Sequence, residues 1–342
     1  MSNNSSMLKQ FLIRTTLAIA ALAVCAFLFA CDLTDKKSAG PPEKITIAVV
    51  HNYFQGLIFI ASAKNYFLDE GLDVTVRSHQ SGVTALEELL AGKAELASTA
   101  ETPVMFSITG GHRLTLLAEI FMSDRELVII ARKDRGIVSP SDLKGKKIAV
   151  TQGTARAYFL YSFLSINGIS PAEVEIVNLP SHKHMAALLS GRVDAVSTWN
   201  QQIEQTQKRL GARGMTFTMD PPYSIIAVLS SRPDLPTQKP NMVKGIFRAL
   251  IRAENFVREN PQESVKLVAD AIGMEAADLG KLWRSEGYRV SLDQQLLLSL
   301  EDESRWAIKN RLTKATKIPN YLDYIYFDGL KSVKPEAVRI LR

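Results

Sequence analysis

The strongest constraint on how this chain folds is an internal repeat. Residues 85–99 line up with residues 184–198. Each copy is an amphipathic helical stretch, then Ala91-Gly92-Lys93 or Ser190-Gly191-Arg192, then an apolar segment ending Ser98-Thr99 or Ser197-Thr198. Helical spacing that stops at a glycine, followed by a short apolar run, predicts a helix, a glycine C-cap and a buried strand. The surroundings repeat as well. Strand-like runs at 45–50 and 147–151 precede the two copies, further runs at 72–77 and 174–179 lie between, and helical stretches at 57–69 and 155–167 complete each unit. Each half reads β-α-β-α-β, the order of an α/β fold whose parallel sheets are covered by helices on both faces. After Met215 the pattern changes to one strand-like run at 224–230 and mainly helical sequence from 242 to 311, a helical C-terminal part expected to pack back on the first unit.

Parallel sheets of this kind place strand C-termini, and the N-termini of the helices that follow, at one edge. Two such edges facing each other form a cleft walled by free backbone N–H groups and positive helix ends. That cleft suits a small polar or anionic molecule and needs no catalytic machinery. Hinge bending between two lobes would close it.

The N-terminus sets the compartment. Lys9 and Arg14 precede an apolar run from Leu17 to Cys31, with no acid before Asp32. This is the layout of a secretory signal, and the run is short for a bilayer crossing. Leu28-Phe29-Ala30-Cys31 resembles a bacterial lipobox, with Phe29 departing from the smaller or β-branched residue usual there. The resemblance implies a signal peptide over 1–30, lipidation at Cys31 and a flexible Ser/Gly/Pro tether over 31–43. Asp32 after the lipidated residue resembles an inner-membrane retention signal, which places the folded part in the periplasm, held to the outer face of the cytoplasmic membrane. Losing Lys9 and Arg14 lowers the formal charge from +6 by two, to +4. That excess, with no Lys/Arg cluster, gives no reason to expect a nucleic-acid partner. The chain has 2 cysteines, Cys25 and Cys31, so the mature part has neither a disulfide nor a cysteine metal site.

Glu70-Gly71-Leu72-Asp73-Val74, the run from Asp142 to Val150, Gly191-Arg192-Val193-Asp194-Ala195 and the run from Pro319 to Tyr324 carry a family resemblance. In order and spacing they resemble type II periplasmic binding proteins of the nitrate, sulfonate, taurine and thiamine-pyrimidine group, across the whole mature chain. The resemblance implies a two-lobed periplasmic-binding-protein fold with an interlobe ligand cleft. Its lobes would cover 44–131 plus 228–342 and 132–227, with crossing segments near 132–138 and 217–227. It implies a monomer without cofactor or metal that captures a small polar organic solute, sulfonate-, taurine-, nitrate- or pyrimidine-like. The partners it implies are an ABC permease and its ATPase. Ligand contacts would come from strand-end loops: His51, Asn52 and Tyr53; Ser81 and Gly82; Glu101 and Thr102; Gln152, Gly153 and Thr154; Trp199 and Asn200. Related binders commonly carry Pro or an acid after the Trp position, where this chain has Asn200-Gln201-Gln202.

Each residue has a second reading. Ser81-Gly82 and Gly153-Thr154 present an oxyanion with N–H groups, or are ordinary N-caps. Tyr53 and Trp199 stack on a ligand, or pack against the hinge. Glu101 pairs with a cationic ligand group and repels simple anions, or caps the helix that follows. Arg156, one turn into a helix, supplies a complementary charge or points to solvent. His51 hydrogen-bonds a ligand; His112, His182 and His184 form no metal spacing with it, and the last two read as solvated. The basic side of the helix over 242–260, Lys244, Arg248, Arg252 and Arg258, reads as a solvated face, with docking to a transporter subunit as the other reading. Two rival functions use the same fold: an enzyme, either a pyrimidine synthase or a dehydratase of chorismate-derived compounds, and a ligand sensor partnered with a membrane receptor.

Overall fold

Three parallel strands start each half. β1 (Glu43–Val50) pairs with β2 (Leu72–His79) from Glu43↔Leu72 to Val50↔His79, and with β3 (Leu96–Ala100) on its other side. β6 (Lys147–Val150) pairs in the same way with β7 (Glu175–Asn178) and β8 (Ala195–Trp199). The structure, a computed structural model, describes residues 40–199 and 202–341. The expected signal peptide, Cys31, most of the tether and Asn200 lie outside the described residues.

The repeat is visible at atomic detail. The carboxylate of Glu95 accepts the backbone N–H of Thr46 at 2.7 Å, and that of Asp194 accepts the N–H of Lys147 at 2.9 Å. Both acids sit at the same place in the repeat and tie the start of one strand to the turn before its neighbour. The helices before them, α2 (Gly82–Leu90) and α5 (Ser181–Ser190), stop at glycines with positive φ, +69° at Gly92 and +75° at Gly191. An L side chain is strained there.

Both sheets are mixed, whereas sequence reasoning expects parallel ones. The orders are β2-β1-β3-β10-β4 and β7-β6-β8-β5-β9, completed by β4 (Thr115–Ser123), β5 (Leu127–Arg132), β9 (Gly214–Phe217) and β10 (Ile225–Ser231). The fourth strand is antiparallel for a topological reason. β5 and β10 each enter their sheet from the other lobe, so they begin at the cleft edge and run away from it, against neighbours that end there.

The lobe boundary also moves. β5 is buried along its whole length and pairs with β8 and β9. The first crossing is therefore 124–126, and 127–131 belongs to the second sheet, not the first. The expected crossing at 132–138 is a surface turn inside the second lobe. The second crossing, 218–224, falls within the span expected for it.

Helices cover the sheets. α1 (Gly56–Ala63), α3 (Glu101–Thr109), α4 (Ala155–Ile166) and α6 (Ile203–Leu210) join α2 and α5. The C-terminal helices α7 (Pro240–Glu259), α8 (Pro261–Ile272) and α9 (Gln294–Lys309) pack on the first lobe. Val243, Ile246, Phe247 and Leu250 of α7 are fully buried. On its basic side Arg248 and Arg252 pair with Glu70 at 2.6 Å and Asp69 at 2.9 Å. These exposed pairs contribute little to stability.

Asp194→Ala and Glu95→Ala each strip a strand-edge N–H of its acceptor. Each is expected to cost about 1–3 kcal/mol, read as a lower denaturant midpoint at unchanged slope in urea unfolding.

Candidate functional site

The two sets of strand ends meet around a cavity of about 160 Å³. Val50 and Ala100 reach it from the ends of β1 and β3, and Trp199 from the end of β8. Four helices begin on it: Ser81 and Gly82 open α2, Pro103 lies in the first turn of α3, Thr154 to Arg156 open α4, and Ser181 opens α5. Their free N–H groups and dipoles make the walls positive. Gly82 is needed for this convergence, because a Cβ there would sit 2.8 Å from the Cγ of Pro103.

Arg156 dominates the electrostatics. Its residue is 5% exposed, it lines the cavity, and its Nε has no hydrogen-bond partner. Its guanidinium carbon lies 5.0 Å from the centre of the Trp199 ring, a cation–π contact. Among the described residues no carboxylate pairs with it. Burial alone pushes its pKa down to about 9, so it is charged at neutral pH. A buried charge is expensive unless something of opposite sign accompanies it.

The expected residues divide. His51, Asn52, Tyr53, Ser81, Gly82, Thr154 and Trp199 line the cavity. The His51 ring is 3.0 Å from the carbonyl of Ile272, and the Asn52 side chain accepts the N–H of Phe54 at 3.1 Å. The Tyr53 hydroxyl donates to Glu126. Ser81 caps α2 by accepting from the N–H of Thr84 at 3.2 Å, and the Thr154 hydroxyl donates to the carbonyl of Thr151 at 2.7 Å. Gln152 and Gly153 form the turn before α4, and neither lines the cavity.

Glu101 and Thr102 also face away. The Glu101 carboxylate accepts the N–H of Ile226 at 2.8 Å and the Tyr223 hydroxyl. Thr102 donates to Glu303 at 2.5 Å. Burial decides between the two readings of Arg156 and overturns the one for His184. Arg156 points into the cleft and not to solvent. His184 is fully buried with Nε2 2.9 Å from the carbonyl of Leu179, and burial pushes its pKa down to about 4.

Phe54, Pro103 and Gln202 line the cavity from the loops expected to form it, and Gln80 and Ser181 line it without an expectation from sequence. One was recoverable. The repeat offset that aligns Ala85 with His184 aligns Gly82 with Ser181.

A family model described as NMT1/THI5 like matches residues 52–264. The chain belongs to that family. It is 25% identical over 295 residues to the taurine-binding periplasmic protein of Escherichia coli (strain K12), covering 80% of this chain and 83% of that one. The alkanesulfonate-binding protein SsuA of Xanthomonas axonopodis pv. citri, solved bound to MOPS, matches at a TM-score of 0.69 with 17% identity. That match covers 84% of this chain and 99% of the other. The desulfurization enzyme DSZB matches at a TM-score of 0.65 with 17% identity, covering 85% of this chain and 98% of that one. At these identities the solved structures show the fold: a periplasmic-binding-protein fold with two mixed sheets.

Behind the cavity Glu101, Glu303 and Tyr223 form a buried cluster. The Tyr223 hydroxyl contacts both carboxyls, at 3.0 Å to Glu303, and has one proton to give. Burial pushes the Glu101 pKa up to about 7 from an ordinary 4.5, and raises that of Glu303 well above its ordinary value. The folded state therefore holds protons that the unfolded chain releases. Their stabilisation is complete below the unfolded pKa of 4.5 and is lost as pH rises through about 7. Unfolding midpoints are expected to fall as pH goes from about 6 to about 9. Glu303→Gln, which cannot ionise, should make that slope shallower. Glu101, Glu126 and Glu119, all raised by burial, keep the rest of it. An unaltered slope in the variant would show that Glu303 holds no proton that the unfolded chain releases.

Proposed function

We propose that this chain is the substrate-binding component of an ABC importer, and that it captures a small organic anion in the interlobe cleft. The observation that carries this reading is the buried guanidinium of Arg156 among four helix N-termini, with no carboxylate partner among the described residues. A bound sulfonate or carboxylate would supply the missing counter-charge, and Arg with oriented N–H groups is well suited to receive it. The similarity to periplasmic binding proteins, together with the signal-like N-terminus, supports export to the periplasm. Cys31 would then hold the protein at the membrane surface while it works as a monomer with a permease and ATPase.

The rival reading is an enzyme, favoured by the fold shared with a desulfurization enzyme. The cavity gives it little. Its imidazole and the hydroxyls of Ser81 and Thr154 are engaged by backbone groups, the Tyr53 hydroxyl donates to Glu126, the Ser181 hydroxyl lies 3.4 Å from that of Thr151, and no Asp or Glu is among the described residues that line the space.

Calorimetry with ethanesulfonate tests the assignment. Arg156→Gln is expected to lower affinity by about 30-fold or more, the cost of truncating one partner of a buried charge pair at about 2 kcal/mol. Unchanged affinity would remove Arg156 from the site. Lipid labelling in cells tests the anchor: Cys31→Ser should abolish it, and labelling that persists would refute attachment at Cys31.

A further inference from the structure

We infer that the cleft selects anions whose body carries no cationic group, and so discriminates against zwitterions such as amino-sulfonates. The inference rests on the reading of Arg156 as the anion anchor and adds what the rest of the solute must be.

The acids next to the cleft in sequence are committed elsewhere. Both oxygens of Glu101 are engaged, one by the Tyr223 hydroxyl and the other by the N–H of Ile226. Both oxygens of Glu126 are engaged too, one by Tyr53 and the other by Ser123 at 2.7 Å. Among the described residues lining the cavity there is no Asp or Glu.

Three of the neutral side-chain acceptors are also in use. The Asn52 carbonyl oxygen accepts from Phe54, that of Gln202 accepts from Thr198, and the Ser81 oxygen accepts from Thr84. The remaining electrostatics have one sign: the Arg156 charge and the positive ends of α2, α3, α4 and α5. An ammonium brought into this space would give up its water, meet no counter-ion and be repelled by the field that holds its own acid group.

The other walls favour an uncharged body. Phe54 and Trp199 meet edge to face at 5.4 Å, and Val50, Ala100 and Pro103 complete an apolar side. A solute with one acid group and an alkyl or aryl remainder satisfies both halves of the cavity. The acid is a sulfonate or a carboxylate, which share the charge and the acceptor geometry that Arg156 recognises.

Matched probes isolate the amine, using calorimetry on the full-length chain. Ethanesulfonate is compared with taurine, and propionate with β-alanine. In each pair that binds, the amine-free member is expected to bind at least 10-fold tighter. Which pair binds identifies the acid class. Gln80→Glu, which places a carboxylate at the rim, is expected to narrow the ethanesulfonate-to-taurine ratio. Taurine binding as tightly as ethanesulfonate would overturn the selectivity while leaving the anion site standing. Failure of all four probes to bind would overturn the anion site itself and this inference with it.

Discussion

Much of this molecule is organised around a positive charge with no carboxylate partner among the described residues. Arg156 sits in the first turn of α4, buried and stacked over Trp199, where four helices direct their N-termini at the same space. A fold built for stability alone would pair that guanidinium with an acid or leave it in water, because desolvating it unpaired opposes folding. The protein does neither, and two nearby carboxylates are turned to other partners. The unpaired cation is therefore best understood as half of an interaction whose other half arrives from outside.

The lobes are arranged around this charge by two similar contacts. At the first crossing, Glu126 receives the hydroxyl of Tyr53, a cleft residue. At the second, Tyr223 gives its hydroxyl to Glu101, which follows the cleft residue Ala100. Each crossing segment is thus tied to the first lobe by a phenol–carboxyl bond beside a cleft loop. Tyr158, two residues after Arg156 in the second lobe, packs edge to face on Tyr223 at 5.4 Å. This ring contact joins the second crossing to the helix that carries the cation. Burial also raises the pKa values of these carboxyls, so the crossings carry part of the pH dependence of stability.

Much of the fold was legible in sequence. The two β-α-β-α-β units, the glycine caps and the ends of β3 and β8 follow from periodicity and from the duplicated residues. The loops that form the cleft were legible for the same reason, since strand ends are local features. Three kinds of information were not. The direction of β5 and β10 depends on which lobe the chain is leaving, a relation between segments far apart. The side on which Glu101 points depends on Tyr223 and Ile226, more than a hundred residues away. The exposure of Arg156 and His184 depends on what packs over them, and helical spacing alone cannot tell a buried polar face from a solvated one.

By itself, then, the sequence determined the repeat, the lobes it generates and the positive cleft edge that parallel β-α units must produce, because these arise from hydrogen bonding and side-chain spacing between near neighbours. Tertiary structure alone decided the charge balance inside the cleft. In sequence Glu101, at the end of a strand, is the stronger ligand candidate, while Arg156, one turn into a helix, could equally face solvent. Burial by distant segments then raised the pKa of Glu101 and left Arg156 with no carboxylate partner among the described residues, because the cost of desolvation is set by whatever surrounds a group and not by the residues next to it in the chain.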